Sequence, residues 1–351
     1  MITTHLTKND VFEKRAGLEY NVEIVSQLLN HDLIAKKYLG NQVTSFGFKK
    51  QVFFDNSFDS FTAKARGLFI YDDGQICARS FDKFFNVYLD DKWKTDNDEY
   101  EFSDCPLGVL ENKLKFPVSI YKKENGYLGI LSYNKITDDY FVASKSTTEG
   151  EFAQWFRDQI SYFFSSELKE FLKTENVSLI FEVIDMEHDG GHMIDYGPDC
   201  KKLYLIGAVK NDFESNFYTY DELLKLRRFF TKSEPYSGHE VAIKSWIMNF
   251  HTFSQLKSFL EAFENNDEEI EGFVIHDANG FMFKYKTGYY RSWKEARKAL
   301  ELIMQGKNVD PKRYKQQKFV RWALENKGLL KDNGCDTIIK ARNFYIEQKG
   351  E

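Results

Sequence analysis

The sequence is poor in the residues that staple, break or anchor a chain. Its 351 residues hold only four cysteines, Cys77, Cys105, Cys200 and Cys335, with no CxxC spacing among them. That scatter argues against a disulfide framework or a cysteine-built zinc site and makes a reducing, cytoplasmic compartment the default. Only five prolines occur, and 29% charged residues of both signs stand beside 42% hydrophobic ones, which excludes a disordered or fibrous chain. No run reaches the roughly 18 apolar residues of a membrane-spanning helix. The opening MITTHLTKNDVFEKR has no apolar h-region, so no signal peptide is expected. There is no P-loop, no internal repeat and no low-complexity linker.

What the chain has in quantity is aromatics, 33 Phe and 20 Tyr, and an uneven charge. The overall charge of −6 does not by itself suggest a nucleic-acid partner. Lys284 to Glu351, however, carries 17 Lys+Arg against 8 Asp+Glu, a net of +9, so the preceding 283 residues carry −15. A basic tail on an acidic body suits phosphate binding, although a solvated lysine-rich helical face would show the same count.

Periodicity predicts a helix over 19–38, a hairpin over 65–81 turning at Asp73-Gly74, and a second hairpin-like stretch over 121–146. Phe152, Trp155, Phe156, Ile160, Phe163 and Phe164 recur at helical spacing and predict one helix over 149–173. Strands follow at 178–184 and 202–209, a helix near 220–231, and a hairpin over 272–286 with Asn279-Gly280 at its turn. From Trp293 the pattern is helical, punctuated by Pro311 and Gly334. The strands do not alternate βαβα, so the fold is expected to be α+β, with mainly antiparallel sheets and inserted helices. The expected domains are 1–290 and a basic helical piece, 291–351.

The most informative string is Lys123-Glu124-Asn125-Gly126, between the apolar runs PVSIY and YLGILSY. A lysine at a strand–loop junction can act as a nucleophile if burial and nearby cations lower its pKa, and Gly126 would let backbone approach a nucleotide. An ordinary surface turn has the same composition. Glu182 lies within SLIFEVI, where a buried carboxylate needs a partner. In Phe283-Lys284-Tyr285-Lys286, strand alternation puts both lysines on one face and both aromatics on the other. Glu187-His188-Asp189-Gly190-Gly191-His192 spaces two histidines by four, but its glycines disfavour the helix that a metalloprotease motif requires.

In order along the chain stand Arg66-Gly67, Lys83-Phe84-Phe85-Asn86, KENG at 123–126, Ser144-Lys145, Phe181-Glu182, Glu271-Gly272-Phe273-Val274 and FKYK at 283–286. This series, spanning about 60–295, resembles phage-type RNA ligases of the RNA ligase 1 family and the ligase domain of fungal tRNA ligases. Both are covalent nucleotidyltransferases, like DNA ligases and capping enzymes. Asn125 departs from the acidic residue usual in the phage-type motif and matches the fungal enzymes. The resemblance implies a nucleotidyltransferase (ATP-grasp-like ligase) domain of antiparallel sheets with flanking helices, followed by a small helical domain. It implies ATP and Mg2+ (or Mn2+) as cofactors. The expected activity joins RNA 5′-phosphate and 3′-OH ends through a lysyl-AMP on Lys123, in RNA or tRNA repair, with an end-healing kinase/phosphatase as candidate partner. Lys284 and Lys286 would join Lys123 in catalysis. Arg66, Lys83, Glu124, Asn125, Gly126, Lys145, Glu182 and Glu271 would hold the nucleotide, and Glu271 the metal. In the tail, Lys312, Arg313, Lys315, Lys318 and Arg321 are RNA-binding candidates. Two other readings share these residues: a DNA ligase or capping enzyme, and an inactive RNA-binding module.

Overall fold

A computed structural model describes residues 19–90, 102–197, 200–214, 216–231 and 241–349; the amino-terminal segment judged to lack a signal peptide lies outside them. Three sheets organise the described residues. The first is a meander of β1 (Ile34–Gly40), β2 (Val43–Phe48), β3 (Leu68–Tyr71) and β4 (Ile76–Arg79), flanked by α1 (Glu19–Asn30), α2 (Lys50–Phe54) and α3 (Ser60–Lys64). The helix expected over 19–38 therefore ends at Asn30. The apolar residues of IAKKYLG serve β1, which pairs antiparallel with β2, so sheet pairing overrides the helical spacing.

The other two sheets build the site. One has the order β12-β11-β10-β8-β9, from β8 (Tyr127–Asn134), β9 (Asp139–Ala143), β10 (Val177–Asp185), β11 (Lys201–Lys210) and β12 (Val241–Ile243). The other has the order β13-β7-β14-β15-β5-β6, from β5 (Phe85–Tyr88), β6 (Cys105–Pro106), β7 (Val118–Lys123), β13 (Trp246–Phe250), β14 (Gly272–His276) and β15 (Met282–Lys286). Most pairs are antiparallel, as expected; β11–β12, β15–β5 and β5–β6 are parallel, which long connections permit. The stretch 121–146 is not one hairpin. Only β8 and β9 pair within it, while β7 belongs to the other sheet, so KENG is the step between two sheets.

Each sheet buries one face under helices. On the five-stranded sheet, α4 (Glu151–Ile160) and α5 (Ser166–Glu175) press Phe156, Ile160, Leu168 and Leu172 onto Leu179, Phe181 and Val183. The single helix expected over 149–173 is thus two, separated by a 3-10 turn, because the Ser165 side chain accepts the Leu168 N–H and starts a new helix. On the six-stranded sheet, α7 (Phe253–Ala262) sets Leu256 and Leu260 against Phe273, Ile275, Phe283 and Tyr285. The helix near 220–231 is α6 (Tyr220–Leu226) and a 3-10 turn over Arg227–Phe230.

The C-terminal helices begin at Gly288, five residues before Trp293, where the Thr287 side chain accepts the Tyr290 N–H. They are α8 (Gly288–Met304), α9 (Gln317–Glu325), α10 (Lys327–Asp332) and α11 (Ile338–Lys349). Trp293, Leu300, Phe319, Val320, Leu330 and Ile338 form a cluster joined by Met193 and Ile194 from the loop after β10. No helix among the described residues is long and apolar enough to cross a membrane.

Candidate active site

Three adjacent strands lay out one wall of a cavity of about 620 Å3 by simple alternation. Gly272 of β14 is level with Lys123 of β7 and Lys286 of β15; Val274 is level with Tyr121 and Lys284; His276 is level with Met282. The intervening Phe273, Phe283 and Tyr285 point into the core and are at most 2% exposed. FKYK therefore divides as its spacing requires. Strand β10 brings Glu182 from the facing sheet, and Arg66, Glu124, Gly126, Lys145 and Glu271 complete the polar wall.

The turn 124–126 is held from below. Gly126 N–H donates to Glu182 Oε1 at 3.0 Å. A Cβ at Gly126 would lie 2.2 Å from the Val183 carbonyl oxygen, so only glycine allows β10 this close. Asn125 turns away from the cavity. Its Nδ2 donates to Glu271 Oε2 at 2.9 Å, and its Oδ1 accepts the Met193 and Ile194 N–H groups at 2.7 and 3.3 Å. An aspartate could accept from those N–H groups but could not donate to Glu271, which gives asparagine a physical reason here. Tyr196 OH accepts Asn125 N–H at 2.6 Å and donates to Glu124 Oε2 at 3.1 Å, and His192 Nδ1 bonds the Asn125 carbonyl.

At the centre, Lys123 Nζ is 3.0 Å from Glu271 Oε1 and 3.7 Å from Glu182 Oε1, and Lys286 Nζ is 2.8 Å from Glu271 Oε1. Burial opposes the charge on Lys123, but Glu271 and Glu182 outweigh it and raise its pKa above the ordinary lysine value. The lowered pKa expected of this lysine is thus reversed: its immediate neighbours are carboxylates, and the nucleophile candidate rests as an ammonium. Glu271 is only 3% exposed, so burial would raise its pKa; Lys123 and Lys286 overcome that and hold it at about 2.

Beside this balanced quartet lie four further cations. Arg66, Lys145 and Lys284 line the cavity; Lys83 lines a groove that opens from it. None of the four forms an ion pair among the described residues. Aromatic rings hold the lysines instead: Lys83 Nζ is 4.3 Å from the Phe85 centroid, Lys145 is 4.7 Å from Phe48, and Lys284 is 4.8 Å from Phe84. Burial and then Lys83, Arg66, Lys123 and Lys286 push Lys284 well below its usual pKa. Partial burial, opposed by Asp104 but reinforced by Arg66 and Lys145, brings Lys83 to about 8. Mutual repulsion of this kind destabilises a folded chain unless an anion occupies it.

Several site residues carried no sequence signal. Lys244 sits between β12 and β13, 4.1 Å from the Tyr121 centroid, with burial pushing it to about 8. Burial and Lys244 hold His276 at about 3. His192 belongs to the spaced histidine pair, but its role here is to support the turn; among the described residues no group of three or more His, Cys, Asp or Glu could hold a metal alone. The tail residues Lys312, Arg313, Lys315, Lys318 and Arg321 are exposed and do not line the cavity, while Trp322 packs 5.1 Å from Tyr345.

Two sheets enclosing a lysine–carboxylate centre define the class: the nucleotidyltransferase fold of ATP-dependent ligases. An archaeal ATP-dependent RNA ligase shares the fold at TM-score 0.51 and 12% identity, over 92% of this chain and 75% of that one. A second form of that ligase does so at 0.50 and 11%, over 81% and 64%. The RNA ligase family model matches residues 64–290, and the chain belongs to that family. It is 24% identical to a tRNA ligase of Candida albicans over 342 aligned positions, covering 82% of this chain. It spans only 38% of that relative's length.

Proposed function

We propose that the chain is an ATP-dependent RNA ligase in which Lys123 carries AMP. One observation supports this above the rest: a half-buried lysine paired with two carboxylates shares its cavity with cations from separate elements that form no salt bridge among the described residues. Transfer of a nucleotidyl group is mainly positioning and charge neutralisation, so a reactive centre and a polyphosphate cradle belong side by side.

Lys123 Nζ, once deprotonated, attacks the α-phosphorus of ATP; the N–P bond forms, the bond to the β-phosphate oxygen breaks, and pyrophosphate leaves. A 5′-phosphate oxygen of RNA then attacks the same phosphorus and Lys123 departs with its electron pair. Finally an RNA 3′-OH attacks the 5′-phosphorus, AMP leaves and a phosphodiester remains. Glu271 and Glu182 fit a hard divalent cation that takes one or two carboxylates and completes its shell with phosphate and water. Mg2+ or Mn2+ held there would neutralise charge at the α-phosphate. With Glu271 engaged so, burial and Lys286 would leave Lys123 with a lower pKa, the condition for attack. Lys284 and Lys286 would neutralise the α-phosphate; Arg66, Lys83 and Lys145 would neutralise the outgoing pyrophosphate.

The natural RNA is proposed to be cleaved tRNA, supported by the likeness to a tRNA ligase, with ends prepared by a kinase/phosphatase. Residues 1–290 are proposed as the adenylyltransferase domain and 291–351 as an RNA-gripping domain through its exposed lysines and arginines. The test is sealing of 5′-phosphorylated RNA and DNA strands with ATP and Mg2+. Joining of RNA ends in preference to DNA ends is expected; joining of DNA alone would overturn the RNA assignment.

A further inference from the structure

A groove of about 490 Å3 opens from the main cavity. It shares Arg66, Lys145 and Lys284 with that cavity but does not reach Lys123, Glu182 or Glu271. Its wall consists of five cations and four phenylalanines, with no carboxylate. The outer part is built by α2, which lies before residue 64 and so outside the stretch matched to the family. On this five-residue helix only Val52 is buried. Phe53 and Phe54 are 62% and 76% exposed, with ring centroids 5.9 Å apart, and Lys50 lies beside them.

From this groove we infer a binding track for the 5′-phosphorylated end of single-stranded RNA, with Phe53 and Phe54 as its stacking platform; this rests on the ligase reading above. Two features favour RNA over an apolar or protein partner. A wall of cations without carboxylates attracts a polyanion, and exposed rings beside cations match the way single strands are held, by backbone charge and base stacking. In-line transfer adds direction. The RNA phosphate must approach phosphorus on the side opposite Lys123, along the path by which pyrophosphate left. The groove leaves the cavity through Arg66, Lys145 and Lys284, away from Lys123. The terminal phosphate would sit among these cations, and a following base would stack on the face of Phe53 or Phe54, whose planes meet at 76°.

The test measures anisotropy of a short fluorescent 5′-phosphorylated single-stranded RNA without ATP, on the full chain and its variants. Phe53→Ala/Phe54→Ala is expected to weaken binding on the order of tenfold to a hundredfold, with the thermal midpoint held, while Phe54→Trp retains affinity. Lys50→Ala should lower the log–log salt slope by about 0.7. Equal affinity of wild type and the double alanine variant, or no RNA binding by wild type, would overturn the groove. Labelling of wild type with radioactive ATP is followed in parallel. Labelling with equal RNA affinities sinks the groove and leaves the ligase standing; no labelling with a selective loss of RNA affinity does the reverse.

Discussion

Replacing Glu271 by glutamine removes one charge and little volume at the most heavily used carboxylate of the site. The cost can be worked two ways. A carboxyl moved from 4.5 to about 2 by folding contributes about 3 kcal/mol to stability at neutral pH. Removing one partner from a buried ion pair costs about 3–5 kcal/mol; here Lys286 loses its carboxylate while Lys123 keeps Glu182, which points to the lower end of that range. Both routes place the loss near 3 kcal/mol. Glutamine can still accept from Asn125 Nδ2, so the effect isolates the charge. Because the folded pKa is depressed, the carboxylate's contribution is complete above 4.5 and is lost as pH falls towards 2. Urea unfolding of wild type and Glu271→Gln should differ by about 3 kcal/mol at pH 7, and the gap should narrow below pH 4.5. A gap under about 1 kcal/mol at pH 7, or one that does not change with acidification, would refute the reasoning.

The lysines with lowered pKa values make the opposite pH prediction. Lys83 and Lys244 have folded values of about 8 against 10.5, so the unfolded chain binds more protons between these limits and stability should rise with pH across that window. Thermal midpoints from pH 8 to 10.5 check this, and Lys244→Met should flatten the rise. Gly126→Ala should cost about 1–3 kcal/mol and abolish adenylylation, since its methyl would meet the Val183 carbonyl at 2.2 Å; unfolding and labelling of this variant read both effects.

Much of the site could be read from alternation and order. The split of Lys284 and Lys286 from Phe283 and Tyr285 follows from the two-residue period of a strand, and both hairpins turn where Asp-Gly and Asn-Gly stand. What could not be read depends on long-range pairing. Nothing local shows that β7 and β8 part into different sheets, or that IAKKYLG pairs with β2 instead of extending α1. Tyr196 and His192 support the KENG turn from some seventy residues away, and Lys244 comes from a crossing between sheets. The direction of the Lys123 pKa was also hidden, because it depends on Glu271, which lies 148 residues along the chain.

The central claim is tested most directly by incubating wild type and Lys123→Ala with α-labelled ATP and Mg2+ and separating the proteins on a denaturing gel. A labelled wild-type band that is absent from the variant is the predicted result. An unlabelled wild type, shown by mass spectrometry to carry no AMP beforehand, or a variant labelled as strongly as wild type, would contradict it.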